Sequence, residues 1–363
     1  MSYRLVGRTQ VAVDGKIAVF FGGTDYHRLT SEPKIVEAVR RALDEQPLAI
    51  SGSRATTANH PWYAELEAAL AAFLHAPEVV LLASGYLANS AALQGMREHV
   101  DTAFIEERSH PSLFDAAAAA GMACVEFPRH QVHGLEAALK DCGLADRYIV
   151  LCDGVAPVTG ECAPLDAYAR HGSLLVDDCH GAGVVGAKGQ GSVDRTTHSF
   201  ARVVQTGTLS KALGGFGGWI ATTSDHAARI RATRTYVGST PIPLHVAKGG
   251  TEAIRFLAEH PERLVRLLDV RDRVATHLAE MGARVVKGGG AVIAVEAPPG
   301  LTGETARDFL ADEGVVVPFL RYPGGPPGGV LRIALSSVHT DDELEILVKA
   351  FRKLQVRAAS ESL

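Results

Sequence analysis

Short apolar runs alternate with amphipathic segments along most of the chain. The apolar runs predict buried strands at residues 79–83, 102–106, 125–127, 148–152, 174–176, 202–204 and 219–223. Segments whose apolar residues recur at helical spacing predict helices at residues 34–45, 61–74, 87–99, 115–120 and 252–281. This alternation of strands and helices is typical of an α/β domain built on a mostly parallel sheet.

The two ends of the chain carry further elements. One or two short strands are predicted between residues 4 and 21, around an Asp-Gly turn. Near the C-terminus the alternation predicts a small α/β domain, with strands at 291–295, 315–317 and 331–335 and helices at 304–313 and 341–355. We therefore expect an N-terminal arm and helix over 1–45, a large domain over 46–238, and a connecting helix with a small C-terminal domain over 239–363.

Composition narrows the class of protein. The chain has 363 residues, of which 47% are apolar and 21% charged, as in an ordinary globular protein. A net charge of -5 without a basic cluster argues against a nucleic-acid or membrane partner. No apolar run of roughly 18 residues and no signal-peptide pattern is present, so we expect a cytoplasmic location. The five cysteines lack zinc-binding spacing, so no metal site is expected.

One lysine lies in an unusual segment. Residues 205–219 read Gln-Thr-Gly-Thr-Leu-Ser-Lys-Ala-Leu-Gly-Gly-Phe-Gly-Gly-Trp, which places Lys211 in a turn between two predicted strands. Hydroxyl side chains surround it, and the glycines let the backbone approach a ligand closely. A crowded, partly desolvated amine is a usable nucleophile towards an aldehyde. An isolated loop lysine is more often simply solvated, so the rest of the chain must support this interpretation.

Two strand ends carry further candidate chemistry. Ser84, Gly85 and Tyr86 follow a predicted strand and open a helix, where free N–H groups and the helix dipole favour a phosphate. Asp177 ends another strand in the segment Asp-Asp-Cys-His-Gly-Ala-Gly, a position where α/β enzymes place ligand-contacting groups. Taken alone, such turns and strand-end aspartates are usually structural.

Taken in order, these motifs resemble the α-oxoamine synthase family, which includes 8-amino-7-oxononanoate synthase, 2-amino-3-ketobutyrate CoA ligase, 5-aminolevulinate synthase and serine palmitoyltransferase. The resemblance extends from about Phe20 to about Phe351. It implies a fold-type I transferase that depends on pyridoxal phosphate, with a mostly parallel sheet in the large domain. It also implies a homodimer that condenses a small α-amino acid with an acyl thioester of coenzyme A or a carrier protein, with decarboxylation, to give an α-amino ketone.

The resemblance implies cofactor-binding roles for individual residues. Lys211 would be the Schiff-base lysine, Asp177 would face the pyridine nitrogen, His180 would bond the phenolic oxygen, and His110 would stack on the ring and act in catalysis. The cofactor phosphate would be held by Ser84, Gly85, Tyr86 and Thr208. Ser239 or Thr240 would reach the same phosphate from the partner subunit.

Substrate-binding residues follow from the same resemblance. Arg332 would pair with the substrate carboxylate, with Arg321 as a second candidate. Arg54, in the segment Ser-Gly-Ser-Arg, is a further substrate-binding candidate. Two segments depart from the family pattern, because Thr24 replaces an asparagine and residues 156–159 replace Phe-Ser-Met-Asp. Both departures bear on the choice of substrate.

Three alternatives remain open. Another pyridoxal-phosphate reaction on the same scaffold, such as transamination in specialised metabolism, would keep Lys211 and Asp177 but would need no thioester. A non-catalytic partner subunit, as found beside the active one in serine palmitoyltransferase, is disfavoured because Lys211, Asp177 and His180 are all retained. A nucleotide-binding oxidoreductase is disfavoured because the chain has no glycine-rich dinucleotide motif.

Overall fold

The computed structural model describes residues 3–143, 147–196, 199–322 and 325–361. Its helices, in chain order, are α1 Pro33–Glu45, α2 Pro61–Leu74, α3 Gly85–Gln94, α4 Pro111–Ala119, α5 Val132–Cys142, α6 Leu165–Ala169, α7 Ser224–Arg231, α8 Arg234–Gly238, α9 Leu244–Glu259, α10 Glu262–Glu280, α11 Gly303–Asp312 and α12 Asp341–Glu361. Its strands are β1 Arg4–Leu5, β2 Gln10–Val13, β3 Lys16–Phe20, β4 Glu78–Leu82, β5 Thr102–Glu106, β6 Ala123–Phe127, β7 Tyr148–Asp153, β8 Ser173–Asp177, β9 Val203–Thr208, β10 Gly218–Thr222, β11 Val285–Lys287, β12 Val292–Val295, β13 Val315–Val316, β14 Phe319–Leu320 and β15 Val330–Ala334.

The chain divides into two compact units, of which the larger comprises Leu29–Ala156 and Cys162–His260. Its seven-stranded sheet has the order β4-β10-β9-β8-β7-β5-β6. Strand β10 is antiparallel to both of its neighbours, and the strands from β9 to β6 are parallel to one another. The carboxyl ends of β7, β8 and β9 therefore meet at one edge of the sheet, which is where open α/β sheets place their ligands.

Both faces of this sheet are covered, which explains the nearly continuous apolar runs in its strands. In β4, Val79 and Leu81 belong to the apolar cluster that contains α2 and α9 residues. Val80 and Leu82 alternate with them and belong to the cluster on the opposite face, with residues of α3 and α4. Trp219 of β10 is fully buried and lies against Gly207, where a Cβ atom would come within 2.2 Å of the indole ring.

The smaller unit comprises Met1–Arg28, Pro157–Glu161 and Pro261–Leu363. It contains a four-stranded sheet of order β1-β2-β3-β13 and a second of order β11-β12-β15-β14. Strand β13 pairs parallel with β3, so the N-terminal hairpin and the C-terminal part of the chain share one sheet. Helix α12 packs against α10 and α11.

The predicted α/β class with a mostly parallel central sheet is confirmed by this topology. The single helix predicted over 252–281 is wrong, because α9 and α10 are separate helices with a break at His260 and Pro261. Proline lacks the N–H that a continuing helix would need, so the break has a local cause. Helix α3 ends at Gln94, with Gly95 as its C-terminal cap, several residues before the predicted end of that helix. No helix in the described part of the chain is both long enough and apolar enough to cross a membrane.

Candidate active site

The loop that carries Lys211 is a tight connection between β9 and β10. Two backbone hydrogen bonds of Leu209 hold the ends of this loop together. Its N–H donates to the Gly217 carbonyl at 2.9 Å, and its carbonyl accepts from the Gly215 N–H at 2.7 Å. Gly214 has a φ of +60°, and a Cβ atom there would lie 2.2 Å from Leu29 Cβ. Only glycine satisfies both conditions, so the glycines of this motif fix the position of the lysine.

Lys211 contacts a histidine from the neighbouring strand end. Its Nζ lies 2.8 Å from Nε2 of His180, in the turn that follows β8. One of the two nitrogens must accept, so the ammonium form of the lysine requires an unprotonated Nε2. The sequence motifs around the two residues are thus brought into direct contact.

Asp177 ends β8 with a carboxylate held by neutral donors. Its Oδ2 accepts from Asn89 Nδ2 at 2.8 Å, and its Oδ1 accepts from the Cys179 N–H at 3.1 Å. The residue is only 6% exposed, and no lysine or arginine is hydrogen-bonded to its carboxylate in the described part of the chain. Its negative charge therefore remains available for a cationic ring nitrogen.

His110 caps the N-terminus of α4. Its ring Nδ1 accepts from the Ser112 backbone N–H at 3.2 Å, and the backbone N–H of His110 donates to Asp153 Oδ1 at 3.0 Å. Tyr86 lies edge-on to the imidazole, with ring centroids 6.2 Å apart, and its hydroxyl bonds Asp115. Burial lowers the pKa of His110, and the charge of Asp177 opposes this. The direction of this shift favours the neutral form of the ring at physiological pH.

The N-terminus of α3 adjoins the ends of β8 and β9. Ser84 caps the helix by accepting from Leu87 N at 3.2 Å. A Cβ atom at Gly85 would lie 3.1 Å from Thr208 Cβ and 3.2 Å from Cys179 Sγ, so this turn packs tightly against both strand ends. Free N–H groups of a helix N-terminus beside a threonine hydroxyl form a chemically suitable phosphate site.

Two buried acids support this edge of the sheet. Burial raises the pKa of Asp153, and the charge of Asp177 raises it further. Burial also raises the pKa of Asp178 to about 7, although Ser192 and Gln205 hydrogen-bond its carboxyl group. Asp178 Oδ1 accepts from Ser192 Oγ at 2.6 Å, and Oδ2 accepts from Ser192 N at 2.8 Å and Gln205 Nε2 at 2.7 Å. Asp178 thereby anchors the loop that begins with Cys179 and His180.

Arg54 is engaged within the larger unit. Its guanidinium makes two hydrogen bonds to Glu67, of 2.7 and 3.1 Å, and one to Asn59 Oδ1 of 3.1 Å. It also lies over the ring of Tyr63, 4.8 Å from the centroid. The guanidinium of Arg54 is thus already paired with the carboxylate of Glu67 in the same chain.

Ser239 and Thr240 follow α8. The Ser239 hydroxyl donates to the Thr235 carbonyl, and Thr240 is exposed. Within the described part of one chain, neither hydroxyl is hydrogen-bonded to Lys211 or His180. Their expected role involves a second subunit.

Arg332 is buried within the smaller unit and is held by neutral oxygens. Its Nε donates to the Pro157 carbonyl at 2.7 Å, one terminal nitrogen to the Gly23 carbonyl at 3.1 Å, and the other to the Tyr26 hydroxyl at 3.0 Å. Only 5% of the residue is exposed, and no carboxylate pairs with it in the described ranges. A buried guanidinium without a negative partner is suited to bind an anion. Arg321, by contrast, is bound to Glu304 at the surface.

Sequence reasoning matched Asn89 to the family pattern but predicted no contact for it, and it assigned no role to Ser112 or Asp153. Asn89 lies in the family pattern and Ser112 in the segment around His110, but nothing in the sequence reveals that they bond each other. In the described ranges, no group of three or more His, Cys, Asp or Glu side chains is arranged to hold a metal ion.

The family described as aminotransferase class I and II matches residues 19–351. The chain therefore belongs to the aminotransferase class I and II family. Its relatives within that family are α-oxoamine synthases, as the sequence resemblance indicated. The 8-amino-7-oxononanoate synthase of Methylococcus capsulatus is 32% identical over 352 residues, covering 94% of this chain and 90% of the relative. The serine palmitoyltransferase of Bacteroides ovatus is 27% identical over 368 residues, covering 96% and 91%.

Two further comparisons concern length and fold. The chain is 33% identical to the biotin biosynthesis bifunctional protein BioWF of Cutibacterium acnes, but it spans only 55% of that protein. The solved Sphingomonas wittichii serine palmitoyltransferase superposes with a TM-score of 0.92 at 25% identity, covering 98% of this chain and 92% of that one. The fold-type I scaffold is thereby confirmed.

The residues fit pyridoxal phosphate. The helix N-terminus at Gly85 with Thr208 suits its phosphate, the carboxylate of Asp177 suits its ring nitrogen, and the amine of Lys211 suits its aldehyde. Together with the family, this fit confirms the predictions of an enzyme and of pyridoxal phosphate as its cofactor.

Proposed function

We propose that this enzyme is a C-acyltransferase that condenses a small α-amino acid with an acyl thioester. The names of its relatives support this reaction, since the 8-amino-7-oxononanoate synthases and serine palmitoyltransferases recur among them. The observation that carries the proposal is the arrangement of Lys211, 2.8 Å from His180, in one unit with the neutrally held carboxylate of Asp177.

The cofactor supplies an aldehyde that binds amines covalently and a ring that withdraws electrons from the substrate α-carbon. Lys211 Nζ would hold the cofactor through its aldehyde, and its free amine would be positioned to remove a proton from the substrate Cα. His180 Nε2 accepts a hydrogen bond from the ammonium form and holds the amine in place. The carboxylate of Asp177 would lie against the ring nitrogen and favour its protonated form.

The overall reaction balances without an oxidant. A bond forms between the substrate α-carbon and the acyl carbon as the carbon–sulfur bond breaks and the thiol leaves. The bond between the α-carbon and the carboxylate then breaks, releasing carbon dioxide, and a proton returns to the α-carbon. The products are one α-amino ketone, one carbon dioxide and one thiol, either coenzyme A or a carrier protein.

Arg332 binds the carboxylate of the amino acid in this proposal. Among the described residues, its buried charge is supported only by the neutral oxygens of Pro157, Gly23 and Tyr26. A carboxylate would supply the missing negative partner and would gain from a charge-assisted hydrogen bond. Arg54 is the weaker candidate because Glu67 already occupies its guanidinium.

We further propose that the active enzyme is a homodimer in which Ser239 or Thr240 completes the phosphate site of the partner subunit. The exposed position of Thr240 and the resemblance of this segment to the family support that proposal. The Thr240 hydroxyl is a small donor suited to a phosphate oxygen, whereas the Ser239 hydroxyl would first have to release the Thr235 carbonyl.

The test is a stoichiometric assay. Purified protein is incubated with a panel of amino acids and with acyl thioesters of coenzyme A or a carrier protein, and released thiol and carbon dioxide are measured. We expect equal amounts of both with one amino acid and none from Lys211→Ala, whereas Lys188→Ala, which alters an exposed loop lysine, retains activity. Conversion of an amino acid to its keto acid without thiol release would instead establish transamination.

A further inference from the structure

A chain of hydrogen bonds connects Asp177 to His110 through two buried residues. Asn89 Nδ2 donates to Asp177 Oδ2 at 2.8 Å and to Ser112 Oγ at 2.9 Å. Ser112 Oγ in turn lies 2.7 Å from His110 Nδ1. Asn89 is fully buried and Ser112 is 1% exposed, so water does not compete for these groups.

The direction of the donors follows from chemistry. A carboxylate only accepts, so the group of Asn89 that faces Asp177 must be the NH₂ end of the amide. Thr206 Oγ1 supports the same orientation by donating to Asn89 Oδ1 at 2.6 Å. Both hydrogens of Asn89 Nδ2 are then committed, and Ser112 Oγ receives one of them.

The hydroxyl hydrogen of Ser112 determines which nitrogen of the His110 ring carries the proton. The Ser112 N–H donates to His110 Nδ1 at 3.2 Å, so Nδ1 presents a lone pair. The Ser112 hydroxyl, which already accepts from Asn89, donates its own hydrogen to the same Nδ1. With two donors directed at Nδ1, the proton of the neutral ring resides on Nε2.

We propose that Ser112 and Asn89 are positioning residues that hold His110 as the Nε2–H tautomer and tie this tautomer to the carboxylate of Asp177. Resting on the proposed function, this assignment makes His110 a fixed hydrogen-bond donor on the ring edge opposite its helix cap. A donor there can bond a substrate oxygen, whereas the other tautomer would repel it. Asn89 and Ser112 thus position both the carboxylate of Asp177 and the imidazole of His110.

Nitrogen NMR tests the tautomer without an activity measurement. The full chain is labelled with ¹⁵N-histidine, loaded with pyridoxal phosphate or stripped of it, and studied by solid-state NMR, with His110→Gln identifying the two resonances of His110. In the wild type we expect a protonated Nε2 and an unprotonated Nδ1 in both forms. A protonated Nδ1 would overturn the proposal directly, whether or not any variant folds.

Three variants then separate the contributions. Ser112→Ala removes the hydroxyl donor, so both ring nitrogens should shift towards intermediate values typical of mixed tautomers. Asn89→Ala should cause a smaller shift in the same direction, because Ser112 is then free to rotate. Ser109→Ala is the matched control, since Ser109 is also buried in this loop and its hydroxyl has no hydrogen-bond partner in the described part of the chain. Unchanged resonances in Ser112→Ala or in Asn89→Ala, relative to this control, would contradict the proposal, whereas failure of the proposed reaction would leave them as expected.

Discussion

Asp178 should make the stability of the larger unit depend on pH, and replacement of its hydrogen-bond partner Ser192 should show this dependence. The carboxyl group is fully buried and accepts from Ser192 Oγ at 2.6 Å, and burial raises its pKa to about 7. The unfolded pKa is about 3.9, so the folded protein binds more protons between these values. The stabilising contribution of Asp178 is therefore fully present below about pH 4 and is lost as the pH rises through about 7.

Replacement of Ser192 by alanine removes one donor to Asp178. Near pH 8.5 the lost bond involves a charged acceptor and is worth about 1.5–3 kcal/mol, whereas near pH 5.5 the acid is neutral and the loss is about 0.5–1.5 kcal/mol. Ser192→Ala should therefore lower the free energy of unfolding by about 1 kcal/mol more at the higher pH. Urea unfolding followed by circular dichroism at both pH values, without added cofactor, measures this difference.

Ser109→Ala serves as the control, because it deletes a buried hydroxyl that has no hydrogen-bond partner in the part of the chain the structure describes. Its effect on unfolding should be the same at both pH values. If Ser192→Ala also shows equal losses at the two pH values, Asp178 does not change its charge between them. The reasoning from burial would then be refuted.

Two further predictions concern substrate and cofactor binding. Arg332→Lys keeps the charge but loses the guanidinium fork, so the KM for the amino acid should rise about 10–100-fold, corresponding to about 1.5–3 kcal/mol, while Arg321→Lys at the surface changes it little. Steady-state kinetics measures both, and an unchanged KM in Arg332→Lys would exclude carboxylate binding by this residue. Gly85→Ala forces a methyl group to 3.1 Å from Thr208. We therefore expect the dissociation constant of the cofactor to rise about 10-fold, which is a loss of about 1 kcal/mol or more of binding free energy. Gly7→Ala, where a Cβ atom would meet only the Gln10 side chain, at 3.7 Å, should leave cofactor retention on gel filtration unchanged, and equal retention by both variants would contradict the phosphate assignment.

The fold was largely predictable because both faces of the main sheet are covered. Strands such as β4 then consist almost entirely of apolar residues and stand out in the sequence. The helices α5 and α7 were not identified, because each buries few apolar side chains and carries many polar ones. The break at Pro261 had a local signal that the apolar periodicity across it concealed.

The site was predictable only where a motif is local. Lys211 and its glycines lie in one segment, and so do Asp177 and His180. The bond between Asn89 and Ser112 joins residues on α3 and α4, and only the packing of these helices reveals it. Arg54 matched a family segment, yet its pairing with Glu67 depends on the turn between them and has no signal in the sequence.

The most direct test locates the cofactor on the chain. The purified protein is treated with pyridoxal phosphate, reduced with borohydride to fix any cofactor bound to a lysine, digested and analysed by mass spectrometry. We predict a pyridoxyl group on Lys211 in the wild type and in Lys188→Ala, and none in Lys211→Ala. Before reduction, the visible absorption band of the bound cofactor should be present in the first two proteins and absent from Lys211→Ala. A pyridoxyl group on another lysine, or a wild-type protein that binds no cofactor, would contradict the account.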